Sequence, residues 1–469
     1  MKKLACLFLL FLIILVAGCR STAVPSAAIE TPTIQPTIQP TNQPTTQPTT
    51  QPADQPTATP PATATSRPTS VATLAPTRTV ESATETPAAE ETATSTADAT
   101  GDATADAPAT EAAPPPATGV EQPPYEASAC SDKYPCNDDI EGWETRIRVP
   151  AGFQAVYHAR IDGKPTSIAF GPDGRLYVAT LEGIIYAVDD AGNVAAYVSG
   201  FTVPTGIAFQ PGTSKLYVAS RAVNQGMGGE ARISVVQGGG VTHIIGGLPC
   251  CYTGLHSANG IAFGPDGSGY VGVGGRADHG EILVEGPDKG KQDELHPLEA
   301  SILRFSPDGS VVEPYARGFR NPYDIAWDGN GQLYATDNAP DYGPPEEMHR
   351  VIAGGQHGYP WYDCDVCFGA PPDVQLIPPI YQFIPHSAPT GITAYLGNQF
   401  PGYYNSLFVV LWSSFPGAQK VMRFGPGGSG ASNFATGFAQ PIDVTVGPEG
   451  SLYVADHATG IIFRIGHTG

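Results

Sequence analysis

The chain has 469 residues, 45 acidic against 24 basic, for a formal net charge of −21. It shows no basic patch of the kind that a nucleic-acid partner requires, which excludes that class. Its length allows two or three domains, but 55 glycines and 47 prolines, unevenly spread, withdraw a long N-terminal stretch from any folded core.

In chain order, the first segment is MKKLACLFLLFLIILVAGC, with a basic tip at Lys2 and Lys3 and about twelve apolar residues. A bilayer span needs about 20, so residues 1–18 are predicted to be an export signal. Val16-Ala17-Gly18-Cys19 resembles a bacterial lipobox, which implies that Cys19 is lipidated and becomes the mature N-terminus. Residues 19–129 are mainly Thr, Pro, Ala, Gln and Ser, and Gln-Pro recurs every four residues from Gln35-Pro36 to Gln55-Pro56. Twelve acidic and three basic side chains over 20–129 place nine of the net negative charges there. So few large apolar groups cannot offset the entropy of ordering, and the segment is expected to be a disordered, extended stalk. An anchor followed by a stalk predicts a protein exported to the outer face of the bacterial cytoplasmic membrane and held there by lipid alone.

Eight cysteines reduce to six once Cys6 and Cys19 are assigned to the signal and the anchor. They stand as Cys130/Cys136, Cys250/Cys251 and Cys364/Cys367, and in an exported chain all six are disulfide candidates. Phe368 follows Cys367 where covalent haem attachment needs a histidine, so this pair is not a haem-attachment motif.

Residues 130–469 are predicted to be all-β. A strand, a Gly/Pro/Asp turn and a second strand recur six times: SIAFGPDGRLYVAT, GIAFQPGTSKLYVAS, GIAFGPDGSGYVGVG, DIAWDGNGQLYATDN, a divergent GITAYLGNQFPGYYNSLFVVLW, and DVTVGPEGSLYVADH. The turn residues suit hairpins, and most copies are followed by a third apolar stretch. This pattern predicts a six-bladed β-propeller. The last copy has only three strands, and TRIRVPAGFQAVYHA from Thr145 lies outside any repeat. That early strand is therefore expected to close the last blade. First strands, taken from Ile168 to Val444, are 39, 54, 64, 67 and 52 residues apart. The excess over about 40 residues per blade predicts insertions in blades 3, 4 and 5, where sites are usually built.

Three segments carry candidate chemistry. His256, in CCYTGLHSAN, stands just before an innermost strand. Arg320 and Asn321, in ARGFRNPYDIAWD, offer a forked cation and an amide at the equivalent place. PPEEMHRVIAGGQHGYPW offers carboxylates and carbonyls for a calcium ion. In this order the three segments resemble the quinoprotein glucose/sorbosone dehydrogenase family, particularly its sorbosone dehydrogenase-like branch, over about residues 145–469.

The resemblance implies a propeller holding pyrroloquinoline quinone (PQQ) over its channel with Ca2+, and oxidation of the C1 hydroxyl or hydrated aldehyde of an aldose- or sorbosone-type sugar. His256 matches the family's general base, and Arg320 and Asn321 match the pair that contacts the quinone and stabilises its negative charge. Calcium at the quinone would be held partly by backbone carbonyls after that pair, at Pro322. Glu347 and the His357 backbone match a structural calcium site of some members, and Lys420 a cofactor-binding lysine. Three positions depart from the family pattern. Gln440 stands where an arginine commonly grips the cofactor carboxylates, and His357 where an aromatic residue is commoner. Gly275 replaces an acidic or hydroxyl residue that orients the histidine, a role Asp278 is then expected to take. The alternative from another class is a non-catalytic sugar- or partner-binding propeller that has lost its cofactor.

Overall fold

The computed structural model describes residues 131, 133–223, 229–250, 252, 255–362 and 364–469. The export signal, Cys19, the stalk, Cys130 and Cys251 lie outside the described residues.

Six four-stranded antiparallel sheets follow one another along the chain. Their first strands, Pro165–Phe170, Thr202–Phe209, Ala258–Phe263, Pro322–Trp327, Pro389–Ala394 and Pro441–Val446, pack in sequence around a ring that closes from the sixth back to the first. This is the six-bladed propeller that the repeats predict. The sixth sheet runs Pro441–Val446, Leu452–Asp456, Ile461–His467 and then Phe153–Arg160. The early strand thus closes the ring as expected, with Phe153 opposite His467 and Arg160 opposite Ile461. One helix, Ile140–Arg146, precedes it, capped by the Asp139 side chain on the Gly142 amide.

Every second strand is buried along its whole length, as in Leu176–Thr180 and Leu452–Asp456. Neighbouring blades cover both of its faces, which is why LYVA reads as a continuous apolar run and not an alternation. The fourth strand is the exposed edge, as in Val194–Ser199.

Three blades are joined to a neighbour through the side chain that follows the first strand's Thr, Tyr or Ile. Ser167 Oγ accepts the Ile207 amide at 3.3 Å, Asp324 the Ile392 amide at 2.9 Å, and Asp443 the Ile168 amide at 2.7 Å. The same position in the fifth blade is Gly391, where an added Cβ would lie 2.3 Å from an Asp443 oxygen. Glycine there leaves room for the neighbour's carboxylate. Tyr323, fully buried, reaches from the fourth blade to the opposite first blade and donates its hydroxyl to the Thr166 carbonyl at 3.0 Å. It crosses the channel below the mouth.

Candidate active site

In an antiparallel blade, the start of strand one and the end of strand two share one face. Five blades finish that face with the same bond. The amides of Leu181, Gly274, Asn338, Trp412 and His457 donate to the carbonyls of Lys164, Ser257, Asn321, Ala388 and Gln440. The repeated bond defines a ring of side chains at the channel mouth, and the predicted residues His256, Arg320, Asn321 and Gln440 belong to it. Arg221 and Trp412 stand at strand-two ends in the same ring.

Asp337, at the end of its strand, shapes the Arg320–Asn321 turn by accepting both amides, at 3.0 and 2.7 Å. Asp456 does the same for Ala439 and Gln440. Arg320 is buried and forms an ion pair with Asp278, and its Nη1 donates to the Asn338 carbonyl at 3.3 Å. Asp278 in turn lies 3.2 Å from His279 Nδ1. Asp278 therefore holds Arg320 and not His256, against its expected orienting role. Gly275 has a local cause: a Cβ there would meet the Tyr359 hydroxyl at 2.7 Å. Asn321 Oδ1 accepts from Asn259 Nδ2 at 2.8 Å.

His256 is half-buried beside Tyr252, ring centroids 5.7 Å apart, and its carbonyl accepts from the buried Arg221 at 3.3 Å. The Arg320 guanidinium lies 5.8 Å from the centre of the Tyr252 ring. Burial first, then the charges of Arg320 and Arg221, push the His256 pKa well below its ordinary value. Its imidazole is neutral at pH 7 and keeps one nitrogen lone pair for a proton. Leu255 and Trp412 pack against one apolar cluster with Tyr323, so the mouth has an apolar floor. Lys420 is half-buried at the start of its strand, and burial lowers its pKa. Gln440 is half-buried with its amide on Asp456.

Such a mouth fits a planar polyanion. Arg320 Nε and the Trp412 indole N–H are buried without a hydrogen-bond partner, as is His256 Nδ1. Arg320, Arg221 and Lys420 supply positive charge, although one of those charges is already answered by Asp278. Calcium fits less well. The Pro322 carbonyl accepts Asn259 Nδ2 at 3.2 Å. Glu347 lies 3.1 Å from His349 Nε2. The His357 ring stacks on Phe319 with centroids 4.7 Å apart. Asp337, Glu347 and His349, all buried, bring ligand atoms within 4.8 Å of one another. Two carboxylates and an imidazole suit a borderline ion of the zinc class better than calcium, which takes six to eight oxygens.

Cys364 and Cys367 form a disulfide, and Cys136 and Cys250 are each disulfide-bonded.

Burial raises Asp337, Glu346 and Glu347 to about 8 and Asp443 to about 7, with Glu347 also acting on Asp337. It lowers His349 and His357 to about 3 and His457 to about 4. The raised carboxyls favour the native state at low pH and lose that contribution as pH rises towards their folded values. The lowered histidines act oppositely, losing theirs as pH falls below about 6.5. Above pH 6.5 only the carboxyl slope remains, at most about 1.4 kcal/mol per pH unit for each group. Calorimetry is therefore expected to show Tm falling between pH 6.5 and 8; a flat or rising Tm would refute the buried neutral carboxyls.

Among known proteins, the family model described as Glucose / Sorbosone dehydrogenase matches residues 162–464. An uncharacterized protein of Borreliella burgdorferi is 28% identical over 202 residues, a match spanning 36% of this chain and 52% of that protein. The chain thus spans about half the length of that curated relative. The PQQ-bound aldose sugar dehydrogenase of Streptomyces coelicolor is similar in structure, with a TM-score of 0.52 and 20% identity over 68% of this chain and 99% of that one. The soluble aldose sugar dehydrogenase of Escherichia coli, in its apo form, gives 0.53 and 16% over 67% and 99%. The PQQ domain of pyranose dehydrogenase from Coprinopsis cinerea gives 0.51 and 16% over 68% and 97%. At these identities the likeness is one of fold.

Proposed function

The chain belongs to the glucose / sorbosone dehydrogenase family, and on that footing we propose that it is a quinoprotein sugar dehydrogenase. Its reaction is oxidation of the C1 hydroxyl, or the hydrated aldehyde, of an aldose- or sorbosone-type sugar. The observation that carries this reading is a neutral imidazole, His256, in one mouth with a fixed guanidinium, Arg320, and the amide of Asn321. When bound, PQQ supplies the two-electron acceptor for the hydride leaving C1. Arg320, Asn321, Lys420 and Gln440 are the residues that would hold it.

His256 takes the C1 hydroxyl proton on an imidazole nitrogen. Positioned general-base action of this kind is worth about 10²–10⁴-fold. Asp278 and the Asn338 carbonyl prevent Arg320 from swinging, so its charge is preorganised and costs no reordering during the reaction. Tyr323 and the packed apolar residues around it keep water from reaching the reacting carbon from below. We place the protein outside the cytoplasm, tethered through Cys19 and the 19–129 stalk, with residues 130–469 as its propeller and a separate electron acceptor. Lys2, Lys3, the apolar segment and the small residues before Cys19 support that placement.

The test is reconstitution with PQQ and Ca2+, followed by dye reduction with a panel of aldoses and sorbosone. An absorbance change on PQQ addition and sugar-dependent turnover are expected; neither appearing at high cofactor would overturn the proposal. Gln440 favours a second reading, a propeller that binds sugar without a cofactor, in which sugar binding persists and PQQ uptake is absent.

A further inference from the structure

At the end of the inner strands away from the mouth, each blade turns from its first strand into its second. Five of these turns are short, at 171–175, 210–215, 264–268, 328–332 and 447–451, but the divergent fifth copy spends residues 395–406 on the same step. That long turn and the turn of the sixth blade line a groove of about 560 Å³. Ala394 and Val446, the last residues of the two inner strands, also line it, and none of its lining residues belongs to the mouth.

The long turn is rigidly built. The Tyr395 hydroxyl accepts the Phe400 amide at 3.0 Å and donates to the Gly450 carbonyl of the sixth blade at 2.9 Å. The Tyr395 and Phe400 rings stack with centroids 4.5 Å apart. Asn405 Oδ1 accepts the Gly329 amide of the fourth blade at 2.6 Å. Gly450 has φ of 93°, and a Cβ there would collide with the Gln399 side chain, so glycine gives that side chain its place on the groove wall. Tyr395 and Phe400 are spent on the core of these blades, whereas Leu396 is 50% and Tyr404 61% exposed. Folding gains little from those two, in a turn whose other large groups it uses.

We propose that this groove binds a neutral glycan chain, at a carbohydrate site separate from the mouth. Its lining carries no charged side chain. Glu449, the one ionisable residue of the neighbouring turn, bonds instead to Tyr453 and Arg464. A charged ligand would give up water here and meet no counter-charge. A sugar finds what it needs: the Tyr404 ring and Leu396 cover the C–H face of a pyranose, while the Asn398 and Gln399 amides and the Thr393 and Thr445 hydroxyls meet its hydroxyl groups. The volume lies within the ~300–1,000 Å³ of a ligand site. Leu396, Asn398, Gln399 and Tyr404 stand exposed along the groove, so it admits internal units of a chain and not only an end.

Calorimetric titration of the full chain with cellohexaose and with the hexamer of N-acetylglucosamine, both uncharged, tests the groove. At least one hexamer is expected to bind, with Tyr404→Ala weakening it about tenfold and Tyr404→Phe staying within about twofold of the wild type. Because Tyr404 is exposed, the alanine variant is expected to keep the wild-type Tm. Glucose turnover with PQQ and Ca2+ should also be unchanged in Tyr404→Ala. No binding of either hexamer, an affinity that survives Tyr404→Ala, or a loss of turnover that parallels the loss of binding overturns the proposal. So does a synthetic peptide of residues 35–56 that binds more tightly than either hexamer, which would make the groove a peptide site. If the wild type oxidises no sugar while the Tyr404-dependent binding remains, the dehydrogenase reading falls and the groove stands.

Discussion

Replacing His256 by alanine is expected to lower kcat for sugar oxidation by about 10²–10⁴-fold while the propeller stays folded and still takes up PQQ. The expectation follows from where the ring sits. His256 belongs to the loop before an inner strand, not to the strand itself, and its side chain is half-buried and takes no part in the cores of the blades. Its chemistry should also leave a signature in pH. Burial and the charges of Arg320 and Arg221 all disfavour the imidazolium, so the ring stays a competent base well into acid. The acid limb of kcat/KM in the wild type is expected well below pH 6.5. Arg221→Gln removes one of the two charges and should move that limb upward, part of the way only, because burial is the largest cause. A limb at or above 6.5 in the wild type, or activity that survives His256→Ala, would remove the imidazole from the reaction.

The second large effect is structural. Asp278→Ala strands the Arg320 guanidinium in a site where both side chains are more than nine-tenths buried. Removing one partner of a buried pair costs about 3–5 kcal/mol, because the remaining charge is left without compensation. Denaturant unfolding should show that loss as a lower midpoint with an unchanged slope. The double variant Asp278→Ala/Arg320→Met should recover much of the stability, since it removes the stranded charge as well. If the double variant is less stable than Asp278→Ala, the cost lies in lost packing and the pair is not the device that fixes Arg320.

Much of this architecture is readable in the residues. The six hairpins share an apolar spacing and turn chemistry strong enough to give blade number. The orphan strand around Phe153 could only complete the three-stranded last copy, and it does. His256, Arg320, Asn321 and Gln440 were also legible, because each immediately precedes an inner strand. Arg221 and Trp412 were not singled out, yet they had a signal. Set in register, the strand-two ends read Leu181, Arg221, Gly274, Asn338, Trp412 and His457, the residues next to the mouth.

The partner of Asp278 was not legible in this way. Asp278 lies 42 residues from Arg320 in an insertion with no repeat to align, and only tertiary packing brings the two together. Gly275 misled for a related reason. It looks like a lost functional side chain, but Tyr359, from a distant insertion, occupies the space. Repeats announce what each blade has in common; the insertions, which give each blade its differences, reveal themselves only when folded.

Tyr323 has a consequence for how the propeller holds together. Its hydroxyl bonds the fourth blade to the first across the channel, between blades that share no edge. Its aromatic ring is packed among apolar residues of the first and sixth blades. It acts as a spoke where the other blade-to-blade bonds form a rim. On the proposed function, a sugar seated in the mouth would rest above that spoke and not above an open bore.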